Sequence, residues 1–304
     1  MAEVLKGNCP YCGNELEIPA HLQEFSCLYC GKRSHIDLLR SRQDFNRADL
    51  TELASQLPQT LKEYTELYKH INKKDYAKYF AAYEAQHDRL LKRLDLVVTS
   101  APEGVEKASA QVVEVFLETL DRELHADKRY GSKMGNSTLL FEIKLVLALF
   151  LTPLVRKLHL AMAEPFREEL QKQWLARYPK ENWKAGDYEE IIGGFRKRRL
   201  CYLTTAVCSA EGKADDCAEL TALRGFRDGW LKENGGQELI DRYYELAPTL
   251  VTIMDHCENS GEVYARLRTQ WIDPCLDLLS RGENRACKEK YVSMVEYLQK
   301  RYRV

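Results

Sequence analysis

The chain has 304 residues, with 45 lysines and arginines against 46 aspartates and glutamates, which gives a formal net charge of −1. Binding of nucleic acid rests largely on cations that neutralise phosphates, so a chain without a basic excess is not expected to bind nucleic acid as its main task. The length predicts two or more domains, each able to bury a core of its own.

Ten cysteines are distributed along a chain whose first residues lack the basic and apolar pattern of a signal peptide. We therefore expect a cytosolic protein, whose cysteines serve as metal ligands, reactive thiols or buried small hydrophobes rather than as disulfides. The most apolar segment, residues 145–155, is shorter than the roughly 20 residues that a membrane-spanning helix needs. It predicts a core helix, and no association with a membrane is expected.

The first motif with metal chemistry is CPYCGNELEIPAHLQEFSCLYCG, which holds Cys9, Cys12, Cys27 and Cys30 in two Cys-x-x-Cys-Gly knuckles. Each knuckle can direct two thiolates at one ion, and its glycine allows the tight backbone turn around the sulfurs. Together the knuckles predict a tetrahedral zinc site with four cysteine ligands, and short strands in ELEIP and LQEFS. The segment resembles the zinc-ribbon family over residues 1–36.

A competing interpretation is that CPYC forms a glutaredoxin-type redox site, which follows a strand and opens a helix. Here the tetrapeptide lies near the N-terminus, glycine follows it and a second cysteine pair lies at ribbon spacing, which favours zinc. Four thiolates leave no coordination position for water or substrate, so one structural zinc ion is predicted. His21 and His35 are interpreted as surface histidines, and the balanced charge of the ribbon favours docking or folding over binding of DNA.

From residue 37 onward, apolar side chains recur at helical spacing and no strand pattern appears. Pro58 predicts the end of a helix, and Pro153 predicts a kink or break in the apolar helix. The pair Gly193-Gly194 predicts the end of a short helix in YEEIIGGF. The segment RYGSKMGNS predicts a loop, with Ser137 as the cap of the helix that follows. The tyrosine-rich residues 64–83 are interpreted as core rather than as a surface on which bases stack.

The last third of the chain resembles the bacterial C-terminal domain called the CFI box over about residues 201–251. Three elements carry the resemblance in order: Cys201 with Thr205 and Ala206, then LRGFRDGWL from Leu223 to Leu231, then Tyr243, Tyr244 and Pro248. Val207 and Cys208 replace the commoner Tyr-Gly of that domain, and Cys217 is an addition. The resemblance implies a bacterial protein and implies little about activity.

Cys201 is the cysteine in this region with the strongest case for chemistry, since a basic run at residues 196–199 precedes it and a helix is predicted after it. A helix N-terminus and nearby cations stabilise a thiolate. Thr205 could donate a hydrogen bond one turn on, and His256 could serve as the base. The preferred alternative is that Cys201 packs as a small hydrophobe, and that the basic run is a solvated face or docking patch. A second, irregularly spaced metal or redox site would use Cys208, Cys217, His256 and Cys257.

The sequence thus predicts a mainly α protein, in which a small N-terminal β zinc ribbon precedes an all-α multi-helix body. The predicted domains are residues 1–36, 37–199 and 200–304. The leading hypothesis is a zinc-binding, non-catalytic interaction or scaffold protein that docks a protein partner through the ribbon and the basic patch. The alternative is a cysteine-dependent enzyme with Cys201 as nucleophile, and a weaker third hypothesis is a nucleic-acid-associated regulator. The oligomeric state is left open.

Overall fold

The computed structural model describes residues 3–9, 14–36, 39, 46–62, 71–72, 74–196, 202–257 and 259–303. Within these residues two short antiparallel strand pairs lie at the N-terminus, and every later regular element is helical. The predicted fold class, mainly α with a small N-terminal β region, is confirmed. The chain forms two compact units, Met1–Glu66 with Phe80–Tyr188, and Leu67–Tyr79 with Glu189–Val304. The predicted domain limits stay predictions.

The N-terminal strands form two separate hairpins. They are β1 (Val4–Asn8), β2 (Glu15–Pro19), β3 (Glu24–Ser26) and β4 (Arg33–His35). The β1–β2 pair runs from Val4 opposite Pro19 to Asn8 opposite Glu15, and the β3–β4 pair runs from Glu24 opposite His35 to Ser26 opposite Arg33. The predicted strands in ELEIP and LQEFS are β2 and β3, whereas β1 and β4 were not predicted.

The two hairpins bury only a small cluster of side chains. Its members are Cys9, Leu16, Ile18, Phe25, Cys27 and Ile36, with Leu39 packed against them. Leu16 and Ile18 alternate with exposed glutamates along β2, so one face of the first hairpin supplies its share of this cluster. A core of this size is too small to stabilise a domain without a further cross-link.

Five helices and most of a sixth form the rest of the first unit. They are α1 (Arg47–Lys62), α2 (Tyr76–Ser100, which belongs to this unit from Phe80), α3 (Val105–Ala126), α4 (Lys133–Val146), α5 (Thr152–Lys157) and α6 (Ala163–Arg177), and a π-helical turn at Leu147–Leu151 joins α4 to α5. Helix α3 packs against α1 and α6. Phe150 lies in the core, with its ring 6.2 Å from Phe80 and 5.5 Å from Tyr83.

The apolar helix of this unit is a core element, as predicted for residues 145–155. Among the described residues one stretch, Ser137–Lys157, has the length and composition of a membrane-crossing helix, with a mean hydropathy of 2.0 over its most apolar window. Of that window, 89% is buried inside the protein. Its apolar side chains are therefore used in packing.

The second unit is helical throughout its described residues. Its helices are α7 (Tyr188–Arg196), α8 (Tyr202–Ala210), α9 (Ala218–Phe226), α10 (Gln237–Cys257), α11 (Ser260–Leu267), α12 (Asp273–Ser280) and α13 (Asn284–Tyr302), with π-helical turns at Arg227–Leu231 and Arg268–Ile272. Helix α10 packs against α8, α11 and α13, and α12 packs against α9 and α13.

Prolines shape these helices differently from the prediction. Helix α1 continues through Pro58, so the predicted end before this residue is wrong. Leu57, Pro58 and Leu61 are all buried, and this packing offsets the backbone hydrogen bond that the proline removes. The irregularity predicted at Pro153 is a π-helical turn, Leu147–Leu151, directly before the proline. This turn is wider than an α-helical turn, which makes room for the proline ring beside the preceding carbonyl groups.

Two predicted breaks are absent as well. Helix α4 begins inside the predicted loop, because Ser132 rather than Ser137 caps it, with its hydroxyl accepting the Gly135 N–H at 3.0 Å. Helix α7 also continues through Gly193 and Gly194. Beyond them Phe195 is buried with its ring 5.6 Å from Tyr76, and this contact holds the last turn in place.

We expect Gly236→Ala to destabilise the second unit and Gly229→Ala to leave its stability unchanged or slightly raised. A Cβ at Gly236 would lie 2.6 Å from the Leu231 carbonyl oxygen, whereas a Cβ at Gly229 would meet nothing within 4 Å. Overpacking costs about 1 to 3 kcal/mol, and alanine is favoured over glycine inside a helix by about 0.5 to 1 kcal/mol. Urea unfolding followed by circular dichroism measures both variants, and equal free energies of unfolding would contradict the close packing at Gly236.

Candidate metal centre

Three of the four predicted zinc ligands lie where the two hairpins turn. Cys9 directly follows β1, Cys27 directly follows β3, and Cys30 lies in the turn between β3 and β4. Cys12 lies outside the described residues. The strands end at the knuckles, so the two hairpins bring cysteines that are distant in sequence to one place.

The sulfur atoms are spaced for a shared metal ion. The Sγ atoms of Cys9, Cys27 and Cys30 lie within 4.8 Å of one another, and those of Cys9 and Cys30 are 3.8 Å apart. A disulfide needs about 2.05 Å, so these are thiols. Four sulfurs at about 2.3 Å around a tetrahedral zinc ion are about 3.8 Å from one another. The three cysteines can therefore hold one metal ion between them.

Backbone hydrogen bonds hold the turns of both knuckles. The Cys9 N–H donates to the Asn14 carbonyl at 2.8 Å, and the Cys27 N–H donates to the Lys32 carbonyl at 2.9 Å. The Tyr29 N–H points at the Cys27 sulfur at 3.4 Å, where it stabilises the negative charge of a thiolate ligand. Gly31 has φ of 71°, the left-handed conformation that the Cys-Gly knuckle requires.

The cluster is closed on one side and open on the other. Cys9 and Cys27 are 3% and 2% exposed, and Cys30 is exposed. His35 lies outside the cluster and has its Nε2 3.4 Å from a Glu24 carboxylate oxygen, and His21 is exposed. Within the described residues these cysteines are the one group of three or more potential ligands with this spacing.

Apolar side chains are exposed next to the cluster. Leu28 and Tyr29, between the two cysteines of the second knuckle, are 89% and 67% exposed. Of the six large hydrophobic residues found exposed in the described chain, five lie in the ribbon: Val4, Leu5, Leu22, Leu28 and Tyr29. Within the described part of the chain, the ribbon thus presents most of the exposed large hydrophobic side chains.

The predicted catalytic residues are only partly described. Cys201 lies outside the described residues. Thr205 lies in α8, where its hydroxyl oxygen is buried without a hydrogen-bond partner among the described atoms. His256 lies in the last turn of α10, with Nδ1 2.9 Å from the Thr252 carbonyl, so this nitrogen carries a proton. The assignment of these three residues as a catalytic set stays a prediction.

The structure brings two further pairs of cysteines into contact. Cys208 and Cys217 meet between α8 and α9, where burial and a hydrogen bond to Cys217 raise the pKa of Cys208 to about 12. Cys275 of α12 and Cys287 of α13 are both buried, and the hydrogen bond to Cys275 together with burial raises the pKa of Cys287. Sequence reasoning missed the second pair.

The predicted second metal site is therefore not assembled within the described residues. Cys208 contacts Cys217 without a third ligand, and His256 bonds to its own helix. The side chain of Cys257 lies outside the described part. The basic patch predicted at residues 196–199 is likewise undescribed beyond the backbone of Arg196.

Comparison of the chain with protein-family models, with curated proteins and with solved structures yields no match. The candidate metal centre therefore rests on the geometry of the chain's own residues.

We expect iodoacetamide at pH 8 to modify Cys30 in folded, chelator-treated protein and to leave Cys208 unmodified. Cys30 is exposed. Burial and the hydrogen bond to Cys217 raise the pKa of Cys208, so this thiol is hardly ionised at pH 8, and its access is blocked as well. Mass spectrometry of the peptides measures both residues, and protein unfolded in urea is the control in which both react. Fast modification of Cys208 in the folded chain would contradict the buried thiol pair.

Proposed function

We propose that this chain is a zinc-binding, cytosolic bacterial protein without catalytic activity, which docks a protein partner through its N-terminal ribbon, residues 1–36. The observation that carries the proposal is the group of Cys9, Cys27 and Cys30 sulfurs within 4.8 Å of one another, beside the exposed Leu28 and Tyr29. The metal centre fixes the knuckle, and the knuckle presents the apolar side chains.

The choice of zinc follows from the ligand chemistry. Soft thiolates in a tetrahedral arrangement suit zinc or iron–sulfur chemistry, and a spacing of 3.8 Å between Cys9 and Cys30 suits a single ion. Cys12 would be the fourth ligand, as its place in the first knuckle suggests. Four thiolates fill the coordination shell, so we assign the ion a structural role.

The small core explains why the ribbon would need the ion. Within the described residues the core cluster of the hairpins has six members, two of which are the proposed ligands Cys9 and Cys27. In modules of this kind the free energy of metal binding becomes free energy of folding. The cysteines therefore replace the apolar core that the ribbon lacks.

A protein partner suits the surface of the ribbon better than a nucleic acid. Lys6 pairs with Glu17, and Arg33 lies 3.9 Å from Glu24, so these two cations face carboxylates rather than forming a basic patch. Exposed tyrosine and leucine side chains on a rigid turn are typical of the apolar centre of a protein interface. Phosphate binding would need unopposed positive charge.

We expect purified protein to contain about one zinc ion per chain, and Cys27→Ser to lose most of it. The serine oxygen is a much weaker ligand for zinc than a thiolate, and the loss should remove the order of the ribbon while the helices persist. Elemental analysis measures the zinc, and amide NMR with circular dichroism at 222 nm measures the two parts of the fold. Cys217→Ser is the matched control and should keep its zinc. Full zinc occupancy in Cys27→Ser would contradict the assignment.

We expect the double variant Leu28→Ser with Tyr29→Ser to keep its zinc and to bind the partner at least tenfold more weakly. Removing apolar side chains from the centre of an interface costs about 1 to 4 kcal/mol. Affinity capture from host lysate, quantified by mass spectrometry, compares this variant with wild type and with Tyr297→Ser. Tyr297 is an exposed tyrosine on α13 and serves as the control. Equal retention of all proteins by the three chains would contradict docking through the knuckle.

A further inference from the structure

The second unit contains a cavity with almost wholly apolar walls. It lies among α9, the π-helical turn Arg227–Leu231, α10 and α13, and its volume is about 80 Å³. The walls include Phe226, Leu231, Ile240, Tyr243, Val292 and Val295. Apolar walls with a few polar groups are typical of small-molecule sites.

Several features hold the shape of the cavity. Phe226 and Trp230 stack with ring centroids 5.7 Å apart across the start of the π-helical turn. Gly236 packs so closely on Leu231 that its N–H donates to the Leu231 carbonyl at 2.8 Å. π-helical turns are rare and are often found at functional sites. The wall that contains Leu231 is therefore fixed by backbone contacts.

Two tyrosines contribute rings rather than hydroxyls to the apolar lining. The Tyr243 hydroxyl accepts the Leu203 N–H at 3.0 Å, and the Tyr291 hydroxyl lies 3.5 Å from the Thr204 Oγ1. Their rings meet at 5.7 Å between centroids. Because the first turn of α8 engages both hydroxyls, the interior offers little to hydrogen-bond a polar ligand and favours a hydrocarbon body.

The lining of the cavity includes cations that the protein does not neutralise. Arg227 is balanced, because Asp228 accepts two hydrogen bonds from it at 2.6 Å. Arg242 hydrogen-bonds only the neutral amide oxygen of Gln299, at 3.1 Å, and within the described residues no carboxylate lies within ion-pair distance of Arg242 or Lys288. Glu296 is the one carboxylate that lines the cavity. The two cations and the one carboxylate together carry a net charge of +1, which suits a ligand with a single negative charge.

We propose that this cavity binds a small amphipathic carboxylate, with its hydrocarbon body among Phe226, Ile240 and Val295 and its carboxylate at Arg242 and Lys288. The apolar walls make transfer of hydrocarbon from water favourable, and the two cations supply the charge that a carboxylate needs. The site lies in the second unit and does not depend on the ribbon or on its metal ion.

Isothermal titration of the full chain with sodium octanoate, sodium hexanoate and 1-octanol tests the proposal. We expect one octanoate per chain, bound about 15-fold more tightly than hexanoate, since each buried methylene contributes roughly fourfold in affinity. We expect 1-octanol to bind at least tenfold more weakly than octanoate, because it lacks the charge.

Variants locate the site. Lys288→Gln should weaken octanoate about tenfold and leave 1-octanol unchanged, whereas Lys300→Gln, on the same helix but outside the cavity, should change neither. Val295→Trp should fill the cavity and abolish binding of both ligands, with circular dichroism as the check on folding. If the Val295→Trp variant does not fold, the comparison of the two lysine variants still tests the location of the site.

Three results would overturn the proposal. One is the absence of saturable octanoate binding at millimolar concentration. Another is equal affinity for octanoate and 1-octanol, which would mean that the carboxylate does not contribute to binding. The last is an octanoate affinity of Lys288→Gln that equals that of Lys300→Gln, which would place the ligand elsewhere.

Discussion

Thiolate coordination of a single ion is the interaction on which the N-terminal module depends in our account. Its hairpins have strands of five and three residues, and they share a core of six side chains. Isolated short hairpins are marginal in water. Cys9 of the first hairpin and Cys30 of the second meet at 3.8 Å, so a bound ion would join the hairpins where the strands alone provide little packing.

The helical units are stabilised differently, by burial of large side chains. Trp174 and Phe166 are fully buried in the first unit, and Tyr302 and Met294 in the second. Among the described residues, five of the six exposed large hydrophobic side chains lie in the ribbon, and an apolar cavity lies beside α13. We propose that both places bind a ligand or a partner. Each keeps apolar side chains accessible to water, which costs free energy that burial in the core would have avoided.

Periodicity and cysteine spacing predicted much of this molecule, for physical reasons. The spacing of Cys9, Cys27 and Cys30 in two knuckles is a local signal, since each turn closes within a few residues. Amphipathic helices are local too, which is why the α-rich fold class could be predicted. The failures at Pro58 and Gly193 arose where tertiary packing outweighed a local preference, through Leu57 and Leu61 in one case and Phe195 in the other.

The cavity and the contacts within the two thiol pairs could not be predicted in this way. Arg242 and Lys288 are distant in sequence, and their presence in one cavity depends on how α10 and α13 pack. The contact of Cys208 with Cys217 likewise requires the turn between α8 and α9 to be known. Such sites form where several helices meet, and no periodic pattern in a single sequence shows which helices pack together.

X-ray absorption at the zinc edge of the purified protein tests the central claim most directly. The account predicts about one zinc ion per chain, with a first shell of four sulfur atoms at about 2.3 Å and no lighter ligand. A shell that contains oxygen or nitrogen, or an absence of stoichiometric zinc with iron in its place, would contradict a structural zinc ion held by four cysteines in the ribbon.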